Sequence, residues 1–203
     1  MAPDPCRKRA LDLLARRDHF RAELIQKLVR KGFEPDHVEI VVDDLASSGY
    51  VDDARAADRF VRQKLMRAPV GRQKLFADLA RRGVDRAVAE TAIDAQLPAQ
   101  ANANDASDDD PFADPPAATD EVALAREAGR RWRRRRRPPA EVRDGDRAAR
   151  ARYRAALGRH LAGRGFSARA TVAALQDLDD ALRNAGSDDA GDDAFDAFPD
   201  AAF

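Results

Sequence analysis

Residues Arg130 to Arg137 place seven arginines in eight positions around Trp132. A guanidinium is a planar fork of donors that keeps its charge at any ordinary pH, and it matches phosphate or carboxylate oxygens two at a time. Local acids are too few to pair with all seven. The run is therefore expected to meet DNA phosphates or an acidic protein surface, although the dipole at a helix C-terminus favours such cations by itself. Trp132 has two readings. Aromatics among basic residues stack on bases in single-strand binders. Trp132 also follows Ala128 by four positions and Leu124 by eight, on an apolar helical face, which favours a place in the core.

The remaining reactive side chains offer less. His19, His37 and His160 are scattered, no metal-ligand spacing joins them to Cys6, and no glycine loop is built to cradle a phosphate. Asp52 and Asp53 are adjacent, and neighbours at a helix start point to different sides, which does not suit a metal or acid–base pair. A lone cysteine cannot close an internal disulfide and fits a reducing compartment. Catalysis, a metal and a cofactor are not expected.

The elements that position the arginines come from a repeated skeleton. Leu24, Leu28, Gly32 and Phe33 recur as Leu75, Leu79, Gly83 and Val84, and again as Leu157, Leu161, Gly165 and Phe166. Leucines four apart share one helical face, and a glycine taking positive φ closes the helix. Two positions past each glycine, Glu34, Asp85 or Ser167 can cap a following helix, with Pro35 suited to a first helical position. That second helix carries Val38, Val41, Val42 and Leu45 in the first copy and Val88, Ala92 and Ile93 in the second. The third copy has Val172, Ala174, Leu175 and Leu178. A further apolar-periodic stretch precedes each pair: Ala10, Leu11 and Leu14; Ala57, Phe60, Val61 and Leu65; Leu124, Ala128 and Trp132. Three helices per unit follow. Phe20 stands where a hydroxyl residue would best cap the second helix of the first unit; Glu23, three positions on, has capping-box spacing, so a weak cap is expected there. Phe60 precedes Leu75 by 15 positions and Trp132 precedes Leu157 by 25, which puts an insertion into the third unit around Pro138 and Pro139.

Such units bury their apolar stripes only by stacking, and β-type alternation is absent, so the expected fold is all-α, an elongated array of three tandem three-helix repeats. The boundaries are 1–48 and 49–97 for the first two repeats and 122–183 for the third. Residues 98–121 and 184–203 read as a disordered acidic linker and a disordered acidic tail. The net charge of zero hides a segregation: +3 over 1–97, −7 over 98–121, +10 over 122–183 and −6 over 184–203. A strongly positive block attracts polyanions whatever the chain average. The start, Met1 to Arg9, is unlike an export signal, and no apolar run reaches bilayer length, so a cytoplasmic chain without membrane contact is expected.

The segment Gly49-Tyr-Val-Asp-Asp-Ala-Arg-Ala-Ala-Asp-Arg-Phe-Val61, followed by Gly71-Arg-Gln-Lys-Leu75 and the leucine–glycine skeleton, resembles the RecX family, regulators of the RecA recombinase. The resemblance is good over about residues 8–97 and looser over 122–183. Asp52, Asp53, Arg55 and Ala57 agree with the family's junction; Ala56 stands where an aromatic is usual, and Phe20 where a serine is usual. The resemblance implies a right-handed array of three-helix repeats without enzymatic activity. It also implies binding in the groove of a RecA filament on single-stranded DNA, limiting filament growth, ATPase and strand exchange.

Candidate contacts to RecA or DNA are the basic residues bordering the repeats: Lys27, Arg30, Lys31, Lys74, Arg81, Arg82, Arg159 and Arg164, together with Arg131, Arg133, Arg134, Arg135, Arg136 and Arg137. A monomer is expected. The rival reading is a RecA-independent helical nucleic-acid binder using helix-turn-helix modules. Pro35 to Ala46 offers mainly acids on its polar face, which argues against base reading. The tail, with Phe195, Phe198 and Phe203 among its acids, is either a solubilising segment or folds back on the arginine-rich unit and competes with polyanion.

Overall fold

The structure, a computed structural model, describes residues 4–98 and 120–187. Among them the regular elements are all helices: α1 (Pro5–Leu14), α2 (Arg21–Val29), α3 (Pro35–Ser47), α4 (Asp53–Arg67), α5 (Arg72–Ala80), α6 (Arg86–Asp94), α7 (Glu121–Arg135), α8 (Ala140–Arg143), α9 (Arg147–Gly163) and α10 (Ala168–Ser187). The fold is all-α.

Side chains at the helix starts explain where the helices begin. Asp4, Asp52, Asp85, Asp120 and Asp146 each accept a hydrogen bond from a backbone N–H two or three residues on, and Ser167 does the same for Ala170. Each such cap stabilises a helix by about 1 kcal/mol. Gly32, Gly83 and Gly165 close α2, α5 and α9 with φ of 91°, 75° and 75°, a region that L side chains rarely occupy.

Three apolar clusters hold the helices. The first, from α1 to α3, is built on Leu24, Leu28, Val38, Val42 and Leu45. The second, from α4 to α6, is built on Ala57, Val61, Leu75, Leu79 and Ile93. The third joins α7 to α10 around Ala128, Trp132, Leu157, Leu161 and Leu178. Phe20 leaves the first group and enters the second cluster, edge-on to Phe60 at 6.3 Å.

The successive groups are joined by the same device twice. The first residue of α2, Arg21, donates its backbone N–H to Asp53 Oδ1 of the next group at 2.7 Å. The first residue of α5, Arg72, donates its own to Glu121 Oε1 of the group after that, at 3.0 Å. Asp52-Asp53 and Asp120-Glu121 are thus equivalent pairs in which the first acid caps its own helix and the second caps a helix of the preceding group. Neither Phe20 nor Gly71 supplies a side-chain cap, because the neighbour does. Replacing Asp53 by Ala is expected to lower stability by about 1–2 kcal/mol in urea unfolding and to speed hydrogen exchange of the Arg21 amide. Asp53→Asn, which keeps an acceptor, is expected to restore most of both.

Several expectations are corrected. Glu23 does not close a capping box; its carboxylate is taken by Arg17 and by Lys27, the latter at 3.0 Å. The insertion near Pro138-Pro139 is partly helical: it forms α8, which buries Val142, and lengthens α9 at its N-terminal end. Val172, expected on the apolar face of α10, is 49% exposed. Helix α7 begins at Glu121 and α10 continues to Ser187, so both boundaries of 122–183 fall within helices. The remainder of the stretches read as acidic linker and acidic tail lies outside the described residues.

Candidate nucleic-acid interface

Helix α7 carries the arginine run, and its apolar face fixes where each guanidinium goes. Trp132 is 6% exposed and lies against Tyr153 with ring centroids 5.0 Å apart. It is therefore a core residue, too enclosed to stack on a base. One turn before it, Glu127 takes Arg130 at 3.0 Å and Arg131 at 2.7 Å. Hydrogen bonds from Arg131 and then Arg130 hold the Glu127 carboxyl below its usual range. Arg136 places its guanidinium 5.9 Å from the Trp132 ring centre. Arg133 turns the other way, towards an apolar recess formed with Pro138, Arg143, Tyr153 and Leu182.

On the Trp132 side a cleft of about 340 Å³ opens between α7, the end of α9 and the α4–α5 corner. Its walls carry Arg67, Arg131, Arg135, Arg136, Arg164 and His160, with Ala68, Pro69, Ala128 and Trp132, and no acid among the described residues. Arg164 donates to the Pro69 carbonyl at 2.7 Å, which fixes one side of the cleft. Arg67 and Arg135 make no ion pair among the described residues and so present charge that no described residue neutralises. Burial, then the charges of Arg164 and Arg136, push the His160 pKa down. The cleft thus collects positive charge that a phosphate or carboxylate oxygen would relieve.

The cleft gathers Arg131, Arg135, Arg136 and Arg164 of the expected contacts; the others lie elsewhere. Lys74, Arg81 and Lys64 surround Asp78, which is only 7% exposed. Burial opposes ionisation of Asp78, but hydrogen bonds from Lys64 and Arg81 more than offset it, and its pKa is lowered. Lys27 donates to His19 Nε2 at 2.8 Å as well as pairing with Glu23, and Arg30 reaches the Gln26 carbonyl. Lys31, Arg134, Arg137 and Arg159 are exposed on surfaces outside the cleft, and Arg82 lies over the Phe60 ring at 4.8 Å. Ala57 is buried in the second cluster, and Arg55 reaches towards the Gly49 carbonyl at 3.4 Å. Arg67 was not among the expected contacts. The available signal was its place five residues ahead of the start of α5, in the corner that the next group packs against.

His19 is 3% exposed, donating from Nδ1 to the Arg17 carbonyl while Nε2 accepts from Lys27. Burial, then Arg17 and Lys27, depress its pKa below 6.5, although the bond to the Arg17 carbonyl acts in the opposite sense. A histidine with a depressed folded pKa contributes stability above its unfolded value, and that stability is lost as pH falls through the folded value. The urea midpoint is expected to be lower at about pH 5 than at about pH 7, with His19→Gln narrowing the difference.

Comparison with known proteins follows the same division of the chain. Residues 6–45 match the family model for the first three-helix domain of RecX, and residues 52–93 match that for the second. Residues 6–93 thus carry the first two three-helix domains of the RecX family. The chain is 43% identical over 89 residues to the regulatory protein RecX of Chromohalobacter salexigens, covering 44% of this chain and 58% of that protein. It is 42% identical over 97 residues to the RecX of Halorhodospira halophila, covering 47% and 60%. The alignments thus span under two thirds of these relatives. The crystal structure of RecX from Lactobacillus salivarius superposes with a TM-score of 0.62 over 86% of this chain and 94% of that one, at 18% identity, a likeness of fold. The two RecX domains correspond to α1–α3 and α4–α6, and the basic cleft lies where α7 and α9 meet the corner of the second. Among the described residues no group of His, Cys, Asp and Glu could hold a metal, and no helix is long and apolar enough to cross a membrane.

Proposed function

We infer that this RecX-family chain is a non-catalytic regulator that binds the RecA filament on single-stranded DNA and restrains its recombinase, ATPase and co-protease activities during repair. In this reading the three helical groups are three copies of one unit in an elongated right-handed array, acting as a monomer in the cytoplasm. The observation that carries it is the acid-free cleft between α4–α5 and α7–α9, where Arg67 and Arg135 are unpaired among the described residues. Such a cleft suits the DNA backbone lying within a protein filament, since guanidinium forks match phosphate oxygens and need no base sequence. The acids exposed on α3, including Asp36, Glu39, Asp43 and Asp44, are poorly suited to reading a duplex. The test is RecA-driven ATP hydrolysis on single-stranded DNA with this protein added well below the RecA concentration. Progressive slowing is expected; unchanged hydrolysis together with tight binding to naked single strands would replace this reading with RecA-independent nucleic-acid binding.

A further inference from the structure

The cleft beside α7 has a counterpart one junction earlier. Between the α1–α2 loop and α4 lies a groove of about 310 Å³ lined by Arg16, Arg17, Arg59, Gln63 and Arg82 and, unlike the later cleft, by an acid, Asp18. Several of its lining positions correspond to those of the first cleft when each is counted from its own helix start or glycine. Arg16 stands five residues before the first residue of α2, as Arg67 does before that of α5. Arg82 immediately precedes Gly83, as Arg164 precedes Gly165, and both glycines have φ of 75°. Phe60 and Gln63 lie eight and eleven positions after the cap Asp52, as Ala128 and Arg131 lie after the cap Asp120. The hydrogen bonds of Arg21 to Asp53 and of Arg72 to Glu121 fix the two junctions in the same way.

The charges match at two positions once internal pairs are removed, the later cleft carrying Arg135 and Arg136 in addition. In the earlier groove Arg17 is taken by Glu23 and Arg59 by Asp18 at 2.7 Å. Arg16 has no ion pair among the described residues, and Arg82 rests on the face of Phe60. In the later cleft Arg131 is taken by Glu127, while Arg67 has no ion pair among the described residues and Arg164 is held only by a carbonyl. Among the described residues each junction therefore leaves one arginine without an ion pair at its corner and a second beside the closing glycine. A pair of cations recurring at both junctions matches a ligand that is itself a chain of regularly repeated anions.

We propose that the two junction grooves are two copies of one phosphate site, and that a single-stranded nucleic acid backbone runs from one to the other along the array. This rests on the reading of the later cleft as a phosphate site and adds that the earlier groove is its equivalent. The probe is fluorescent oligothymidylate of increasing length, titrated against the full chain and against Arg16→Ala and Arg67→Ala, neither of which breaks an ion pair among the described residues. Short oligomers bind two per chain; those long enough to bridge bind one per chain, more tightly. Each substitution weakens the bridging oligomer by about three- to fivefold and lowers the slope of log affinity against log salt by about 0.7. Each also leaves one strong site for the short oligomer. An effect of Arg67→Ala without any effect of Arg16→Ala would overturn the equivalence while leaving the later cleft as a phosphate site. Wild-type binding by both variants would overturn the phosphate reading of both grooves. Equal competition by polyglutamate would overturn nucleic acid as the ligand.

Discussion

Replacing Gly71 by alanine is expected to separate the α7–α10 group from the rest of the chain, although alanine is locally acceptable there. Gly71 has φ −86° and ψ 167°, an extended backbone open to any residue. The obstacle is across the junction: a Cβ at Gly71 would sit 2.1 Å from the Gly165 carbonyl oxygen and 2.4 Å from the Phe166 nitrogen. These are backbone atoms of a turn with φ of 75° at Gly165, and they cannot swing aside as a side chain would. Relief requires the two groups to move apart, with loss of four hydrogen bonds: Gly71 to Arg164 O, Gln73 to Gly165 O, Arg72 to Glu121 and Arg164 to Pro69 O. A destabilisation of about 3 kcal/mol or more is expected. Trp132 is the chain's single tryptophan, so its fluorescence follows the last group alone while far-UV circular dichroism follows every helix. In Gly71→Ala the fluorescence transition in urea should move to lower denaturant and separate from the dichroism transition. Gly163→Ala is the control, because a Cβ there meets nothing within 4 Å. Coincident, unshifted transitions in Gly71→Ala would show that the close approach does not govern docking.

That junction marks the limit of what the sequence discloses. Periodicity and glycine spacing identify helices because they are local: Leu24 and Leu28 declare a face, and Gly32 declares its end. The same locality makes Phe20 look like a poor cap. Its amide neighbour is satisfied by Asp53, 32 residues away, and no local rule links the two. Adjacent acids at a helix start are likewise explained only when the preceding group is in place, since one acid serves its own helix and the other serves its neighbour. Val172 has the spacing of an apolar face but lies at the edge of the stripe on α10, where α7 and α9 do not cover it. The insertion after Trp132 is visible as extra length, but its single turn of helix depends on Val142 finding the third cluster.

The candidate site divides in the same way. The composition of residues 122–183 announces a cationic unit, and the run on α7 names its densest part. Which arginines remain available is decided by geometry, because the 3.6-residue turn delivers Arg130 and Arg131 to Glu127, aims Arg133 away and leaves Arg135 in the cleft. Arg67 is sequence-distant from all of them and becomes part of the site only because the α4–α5 corner abuts α7.

Reversing the two cleft guanidiniums that make no ion pair, hydrogen bond or ring contact among the described residues, as Arg67→Glu with Arg135→Glu, is expected to have the largest effect on binding. Removing one exposed charged contact is worth up to about 1 kcal/mol, and reversal adds repulsion of comparable size. The pair should therefore lose about 3 kcal/mol, on the order of a hundredfold in affinity for single-stranded DNA at low salt. Neither residue supports the fold through an ion pair among the described residues, so thermal unfolding should change little. The matched control is Arg134→Glu with Arg137→Glu, the same charge change on exposed positions of the run outside the cleft. If charge alone mattered, both double variants would lose the same affinity and converge as salt is raised, because exposed charges are screened within about 10 Å at 0.1 M salt. If the cleft is the site, the Arg67–Arg135 variant stays the weaker of the two at every salt concentration and is also the weaker inhibitor of RecA-driven ATP hydrolysis. Equal losses by the two variants would make the run a diffuse cationic surface and remove the cleft from the interface.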